Sequence, residues 1–276
     1  MFNLLLPSLT SIVHRRLFVG RMKSVCHCEY CCATARRFFE LTNHHRRAMA
    51  ALQEYWRVAS KAICAGRNYV AHAAELNNPL PANPFFFLKP PTTFLPFGKA
   101  PLGGQARTPN AIEYPKQNDL HYEVELMVII GERASKVQES KALDYVAGYA
   151  VGIDMTLRDV QTQYKEKKLP WTAAKAFDTS LPLGPFIPAE KLPNPNNVDI
   201  WLSVNDQIHQ SDSTALMIFS VERLIADASN IMTLEPGDIL ATGTPKGVGH
   251  VEAGDVLKAG IKGFDALDVE FHCVGI

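Results

Sequence analysis

The segment HYEVELMVIIGE places two acids in what otherwise reads as a strand buried on both sides. Alternation along it puts Glu123, Glu125, Met127 and Ile129 on one face, and Val124, Leu126, Val128 and Ile130 on the other. Neither face is polar throughout. Burying an ionised carboxylate without a partner is costly, and a second like charge beside it adds to the cost. A divalent cation compensates directly. Ligation by carboxylates alone selects a hard ion such as Mg²⁺, Mn²⁺ or Ca²⁺ over zinc. The plainer alternative is an edge strand with two solvated glutamates, because E-x-E by itself is a weak motif.

A third acid strengthens the first reading. GYAVGIDM reads as a second buried strand ending at Asp154, and TLRDVQTQY as the helix that follows. Thr156, with Asp159 three residues on, has the spacing of a capping box. Arg158 and Gln161 lie three apart on the helix face nearest Asp154. An acid, a guanidinium and an amide at a strand–helix junction make a site, or else a structural ion pair. Upstream, Asn68 is placed to cap a short helix over NYVAHAAEL, on which His72 and Glu75 share a face. Such a pair is a base with its orienting carboxylate, or an ordinary surface pair.

The remaining elements are those that must hold these residues. Residues 56–64 read as a strand leading to Gly66, and six prolines from Pro79 to Pro96 keep the next stretch extended. A glycine-rich loop follows at 98–104. WLSV and QIHQ flank Asn205-Asp206, as in a tight hairpin, and GDILATG, DVLKAG and DVEFHCVGI read as three more strands. Besides the helix over NYVAHAAEL, helices are expected near 141–146, 156–168 and 220–231. A mixed, mostly β body with a few covering helices fits a distorted roll or barrel.

At 276 residues the chain has room for one large domain or two small ones. Its 28 acids and 28 bases balance, so no global field draws in nucleic acid or an acidic membrane. No apolar run reaches the roughly 18–20 residues that span a bilayer. Residues 1–52 differ from the body at 53–276: they are rich in arginine, and Glu29 and Glu40 are their only acids before the boundary region. That is the composition of a mitochondrial transit segment. The alternative is upstream sequence added by an early start codon, which would leave the body cytoplasmic. Cys26, Cys28, Cys31 and Cys32 crowd this leader without a second knuckle to complete a zinc site, and reduced thiols are the expectation.

From Cys64 to Ile276 the chain resembles the fumarylacetoacetate hydrolase superfamily, in particular its acylpyruvase and oxaloacetate decarboxylase branch. The resemblance is carried, in the family's order, by CAGRNYVAHAAEL, FFFLKPPTTF, LHYEVELMVIIGE, DYVAGYAVGIDMTLRDVQ, LPWTAAKAFDTS, STALMIFSVERLIA and PGDILATGTPKGVG. The loop at 98–107 is about ten residues longer than is usual there. The resemblance implies the family's β-sandwich roll, a Mg²⁺ or Mn²⁺ ion and a homodimer. It places the metal ligands at Glu123, Glu125 and Asp154, and the lid dyad at His72 and Glu75. It places the catalytic lysine at Lys175, and substrate contacts at Arg158, Gln161 and Thr244, the last in a loop with Gly243 and Pro245. None of these positions departs from the family pattern.

The chemistry so implied is hydrolysis of acylpyruvates, small keto acids whose 1-carboxylate and 2-oxo oxygens suit a Mg²⁺ ion that takes about six oxygens. His72 would activate water against the 4-carbonyl, Glu75 would orient it, and Lys175 would meet the developing oxyanion. Lys175 and Arg158 have a second reading as charge partners of the three acids. Oxaloacetate decarboxylation and keto–enol tautomerisation pass through the same enolate and are the alternatives. A non-catalytic metabolite-binding protein is the rival of another class.

Overall fold

The computed structural model describes residues 52–103 and 108–276, so the leader, its cysteines and the tip of the long loop lie outside the described residues. The described part is mostly β. A curled eight-stranded sheet runs in the order Phe86–Lys89, Ala62–Ala65, Ile239–Ala241, Val124–Ile130, Val146–Ile153, Leu181–Leu183 and Phe94–Pro96, with Ile187–Pro188 paired onto Val146–Ile153. A five-stranded sheet is built from Gln207–Ser213, Asp199–Val204, Val256–Ile261, Val269–Gly275 and Ala111–Tyr114. A three-stranded sheet joins Gly249–His250, Leu120–Tyr122 and Thr156–Leu157.

The alternation read from HYEVELMVIIGE is reproduced. Val124, Leu126, Val128 and Ile130 enter the larger apolar core, which also receives the five-stranded sheet. Met127 and Ile129 enter a second core with Tyr55, Trp56 and Phe94. The hairpin also forms as expected. Asn205 (φ 50°) and Asp206 (φ 66°) both take the left-handed conformation that a two-residue type I′ turn requires.

Three local expectations are corrected. The strand expected at 56–64 begins only at Ala62, because Trp56 belongs to a 3₁₀ turn over Leu52–Arg57 that buries Tyr55 and Trp56 in the second core. Asn68 does not cap the helix Val70–Glu75. Its side chain instead donates to the Phe219 and Thr242 carbonyls and accepts from the Phe219 amide. Thr156 does not cap the next helix either, which starts at Arg158 after a short strand at Thr156–Leu157. Asp159 there accepts from the Asn118 side chain and the Asp119 amide. For Asn68 and Asp159 a longer-range partner outcompetes the local one, while the Thr156 hydroxyl donates to the Asp154 carbonyl.

Candidate active site

The single strand expected over HYEVELMVIIGE is broken at one residue, and that residue is Glu123. Leu120–Tyr122 pairs with Thr156–Leu157 in the small sheet, while Val124–Ile130 pairs with Val146–Ile153 in the large one. The two segments thus run antiparallel through both sheets and change sheet together, at Glu123 on one and Asp154 on the other. The Asp154 amide donates to the Glu123 carbonyl at 2.8 Å across this junction. Released from regular pairing, both side chains turn to the same point as Glu125. The three carboxylates offer oxygens within 4.8 Å of one another, and the residues are 6%, 2% and 1% exposed.

Neighbouring strand ends complete the site. Ile239–Ala241 lies beside the Glu125 strand, and the chain then turns at Gly243, whose amide donates to Glu125 Oε2 at 2.7 Å. Ala62–Ala65 lies beyond it and leads into the helix of His72 and Glu75. His72 is buried, with Nδ1 3.4 Å from Glu75 Oε2. Glu75 Oε1 in turn accepts the Gly247 amide at 3.0 Å, tying this helix to the Gly243 loop. Burial holds His72 below its ordinary pKa, against the opposing pull of Glu123 and Glu75, so the neutral base form is favoured.

Lys175 and Arg158 occupy the positions of charge partners. Lys175 Nζ is 2.8 Å from Glu123 Oε2 and 2.6 Å from Asp154 Oδ2. Arg158 pairs with Glu123 Oε1 and donates to Gln161 Oε1 at 2.7 Å. Burial alone would raise the Glu123 pKa, but Lys175 and Arg158 outweigh it and hold the carboxyl well below its usual range. Glu125 has no such cation. Burial, with Asp154 and Glu123 beside it, pushes its pKa well above the ordinary value.

Sequence reasoning missed two residues. Lys89 is fully buried, with Nζ 2.9 Å from Asp154 Oδ1 and bonded to Ser180 Oγ and to the Met155, Lys175 and Ser180 carbonyls. Its one signal is a lone cation inside the apolar run FFFLKPP. Gln210 accepts the Val124 amide and donates to Thr244 Oγ1 and the Pro245 carbonyl, locking the Glu123 junction to the Thr244 loop. Nothing local marks it. Thr244, Gln161, Arg158, Lys175, His72 and the three acids all line one cleft.

The donor set fits a hard divalent cation. Asp154 Oδ1 is buried without a hydrogen bond of acceptable geometry, despite Lys89 nearby, and Glu125 is an acid whose charged form lacks a cation. Glu123, Glu125 and Asp154 are the residues that would hold it.

These features can be compared with known proteins. A family model described as fumarylacetoacetate (FAA) hydrolase C-terminal matches residues 61–271. The chain belongs to the fumarylacetoacetate hydrolase family. Among its relatives in that family is the mitochondrial oxaloacetate tautomerase of Bos taurus, 47% identical over 77% of this chain and 91% of the relative. The mitochondrial oxaloacetate decarboxylase of Dictyostelium discoideum is 45% identical over 81% of this chain and 98% of the relative. Fumarylpyruvate hydrolase from Pseudomonas aeruginosa, solved with Mn²⁺ and pyruvate, superposes with a TM-score of 0.71 at 36% identity, covering 79% of this chain and 91% of that one. The fold is that of the family, as the motifs led one to expect. The mitochondrial address expected from the leader's composition agrees with the names of the curated relatives.

Proposed function

We propose that this chain is a divalent-metal enzyme of oxaloacetate in mitochondria, and that it interconverts the substrate's keto and enol forms. The observation that carries the reading is the cluster of three buried carboxylates beside a buried histidine kept neutral by its surroundings. The relatives' names weigh oxaloacetate chemistry above the acylpyruvate hydrolysis that the motifs put first.

Glu123, Glu125 and Asp154 would hold a cation, which when bound would supply Lewis-acid stabilisation of the negative charge that builds up on the substrate. His72 takes a proton from C3, and the C–H electron pair becomes the C2–C3 double bond while the carbonyl pair moves onto oxygen. The proton is then returned to that oxygen, so the reaction balances without water. Glu75 orients the ring and favours its charged form while the proton is held. Lys175, held between Glu123 and Asp154, keeps positive charge beside the reacting oxygen, and Arg158 keeps Glu123 ionised.

A second reading is decarboxylation, favoured by the name of the Dictyostelium relative. There the C3–C4 pair, rather than the C3–H pair, forms the enolate as CO₂ leaves, and no base is needed at C3.

The test follows enol absorbance and CO₂ release from oxaloacetate, and pyruvate release from acetylpyruvate, with Mg²⁺ or EDTA. Metal-dependent enol–keto interconversion that falls by about 100-fold in His72→Ala is the expected result. CO₂ release surviving that substitution would establish decarboxylation in its place. Acetylpyruvate as the fastest substrate would restore hydrolysis, and no metal-dependent turnover would end the enzyme reading.

A further inference from the structure

Two cations in the cleft have no acid to answer. Arg67 and Lys165 line it with the three carboxylates, yet neither has a carboxylate partner among the described residues. Each is half-buried and backed by an aromatic ring: the Arg67 guanidinium lies 5.7 Å from the Phe85 ring centre and Lys165 Nζ 5.4 Å from that of Trp171. Arg67 Nε is buried without a hydrogen bond among the described residues.

These charges are not needed to balance the acids. Lys89, Lys175 and Arg158 equal the three acids in number and pair with Asp154 and Glu123, and a bound divalent ion would supply the positive charge that Glu125 lacks. Glu75 is engaged with His72 and the Gly247 amide. Burial first, and then the neighbouring Arg158 and Arg67, lower the Lys165 pKa to about 8 against the weaker opposing pull of Glu123. The backbone adds a separate clue. Arg67 holds φ at 55°, a conformation that favours glycine, so its long side chain is retained at a position unfavourable to it.

We propose that Arg67 and Lys165 form a second anion subsite, which takes the distal carboxylate of a dicarboxylic 2-oxo acid whose other end is held at the three-acid cluster. The inference rests on the reading of that cluster as the seat of the 2-oxo acid head. A guanidinium and an ammonium, each against an aromatic face and partly shielded from water, are suited to a carboxylate and offer nothing to an alkyl chain. The subsite therefore selects dicarboxylates such as oxaloacetate over acylpyruvates with an apolar tail.

Binding rather than turnover is the test. The Mg²⁺-loaded protein is titrated calorimetrically with 2-oxoglutarate and with 2-oxopentanoate, which share a head and a chain length and differ in the distal carboxylate. Wild type is expected to prefer 2-oxoglutarate by about tenfold or more, the scale of a charged hydrogen bond. Arg67→Met and Lys165→Met should each cut that ratio severalfold, Arg67→Lys should keep part of it, and 2-oxopentanoate affinity should move by less than about threefold. Thermal melts of each variant confirm that it is folded. Equal affinity of wild type for the two acids, or a ratio that survives both methionine variants, overturns the subsite. Loss of binding of both acids in EDTA alone is the expected control. A preserved preference in a protein without oxaloacetate turnover would sink the proposed reaction and leave the subsite standing.

Discussion

The Gly243 amide donates to Glu125 Oε2 at 2.7 Å, joining residues 118 apart in sequence. Among the described residues this is the one hydrogen bond holding Glu125, the acid without a cation. Gly243 has φ 95°, and a Cβ there would come within 2.7 Å of Asn68 Cβ, itself locked between Phe219 and Thr242. Gly243→Ala must therefore shift the loop and misplace Glu125. Metal affinity should fall by about tenfold or more, the usual loss when a ligand's support is removed. Titration with Mn²⁺ measures it, and unchanged affinity would show that Glu125 is positioned by its strand alone.

Lys89 is predicted to be structural as well as electrostatic. Replacing it by methionine removes a cation from Asp154 and takes the Lys89 donor from the Met155 carbonyl, while the Ser180 carbonyl keeps the Met155 amide. Breaking a buried pair from one side costs about 3–5 kcal/mol. Urea unfolding of Lys89→Met in EDTA should show a loss on that scale. A loss below about 1 kcal/mol would mean that Lys175 alone suffices for Asp154.

The acid limb of kcat/KM should lie below pH 6.5. His72 acts as a base only when neutral, and burial lowers its folded pKa, so the active form persists below the ordinary histidine value and is lost as pH falls through the lowered one. Glu75 favours the charged ring. Glu75→Gln should therefore move the limb lower still while reducing kcat. A pH profile of the metal-saturated pair checks both, and an upward move of the limb would contradict the dyad.

The preference for dicarboxylates should fade in alkali. Lys165 faces Arg67, Arg158, Lys175, Glu123 and the Trp171 ring, and its pKa is lowered to about 8. Its charge is present below that value and lost above it. The affinity ratio of 2-oxoglutarate to 2-oxopentanoate should fall between pH 7 and 9, and Lys165→Met should be flat over that range. A wild-type ratio that is equally flat would remove Lys165 from the subsite.

Glu123, Glu125 and Asp154 were legible because their anomaly is local. Strand alternation has a period of two, so an acid set among apolar neighbours on both faces declares itself within a few residues. His72 and Glu75 were legible for the same reason, being three apart on one helix. Arg158 and Gln161 were legible likewise, three apart on the helix after Asp154; the family motifs then added Lys175 and Thr244 by position, and the structure lines one cleft with all of them.

What the chain could not disclose is where long-range partners win. Asn68 looks like a helix cap in sequence and Asp159 like the partner of Thr156 in a capping box, yet the side chains of Asn68 and Asp159 are taken by residues far along the chain or in another element. Lys89 reads as a lone cation in an apolar run, and only folding sets it beneath Asp154. Gln210 has no sequence signal at all. The sequence by itself determined which side chains carry unusual charge in apolar surroundings, since that depends on neighbours two to four residues away. Tertiary structure alone decided which of them meet and which cations stay unpaired, because ion pairing and desolvation depend on distances in space between strands that the fold brings side by side.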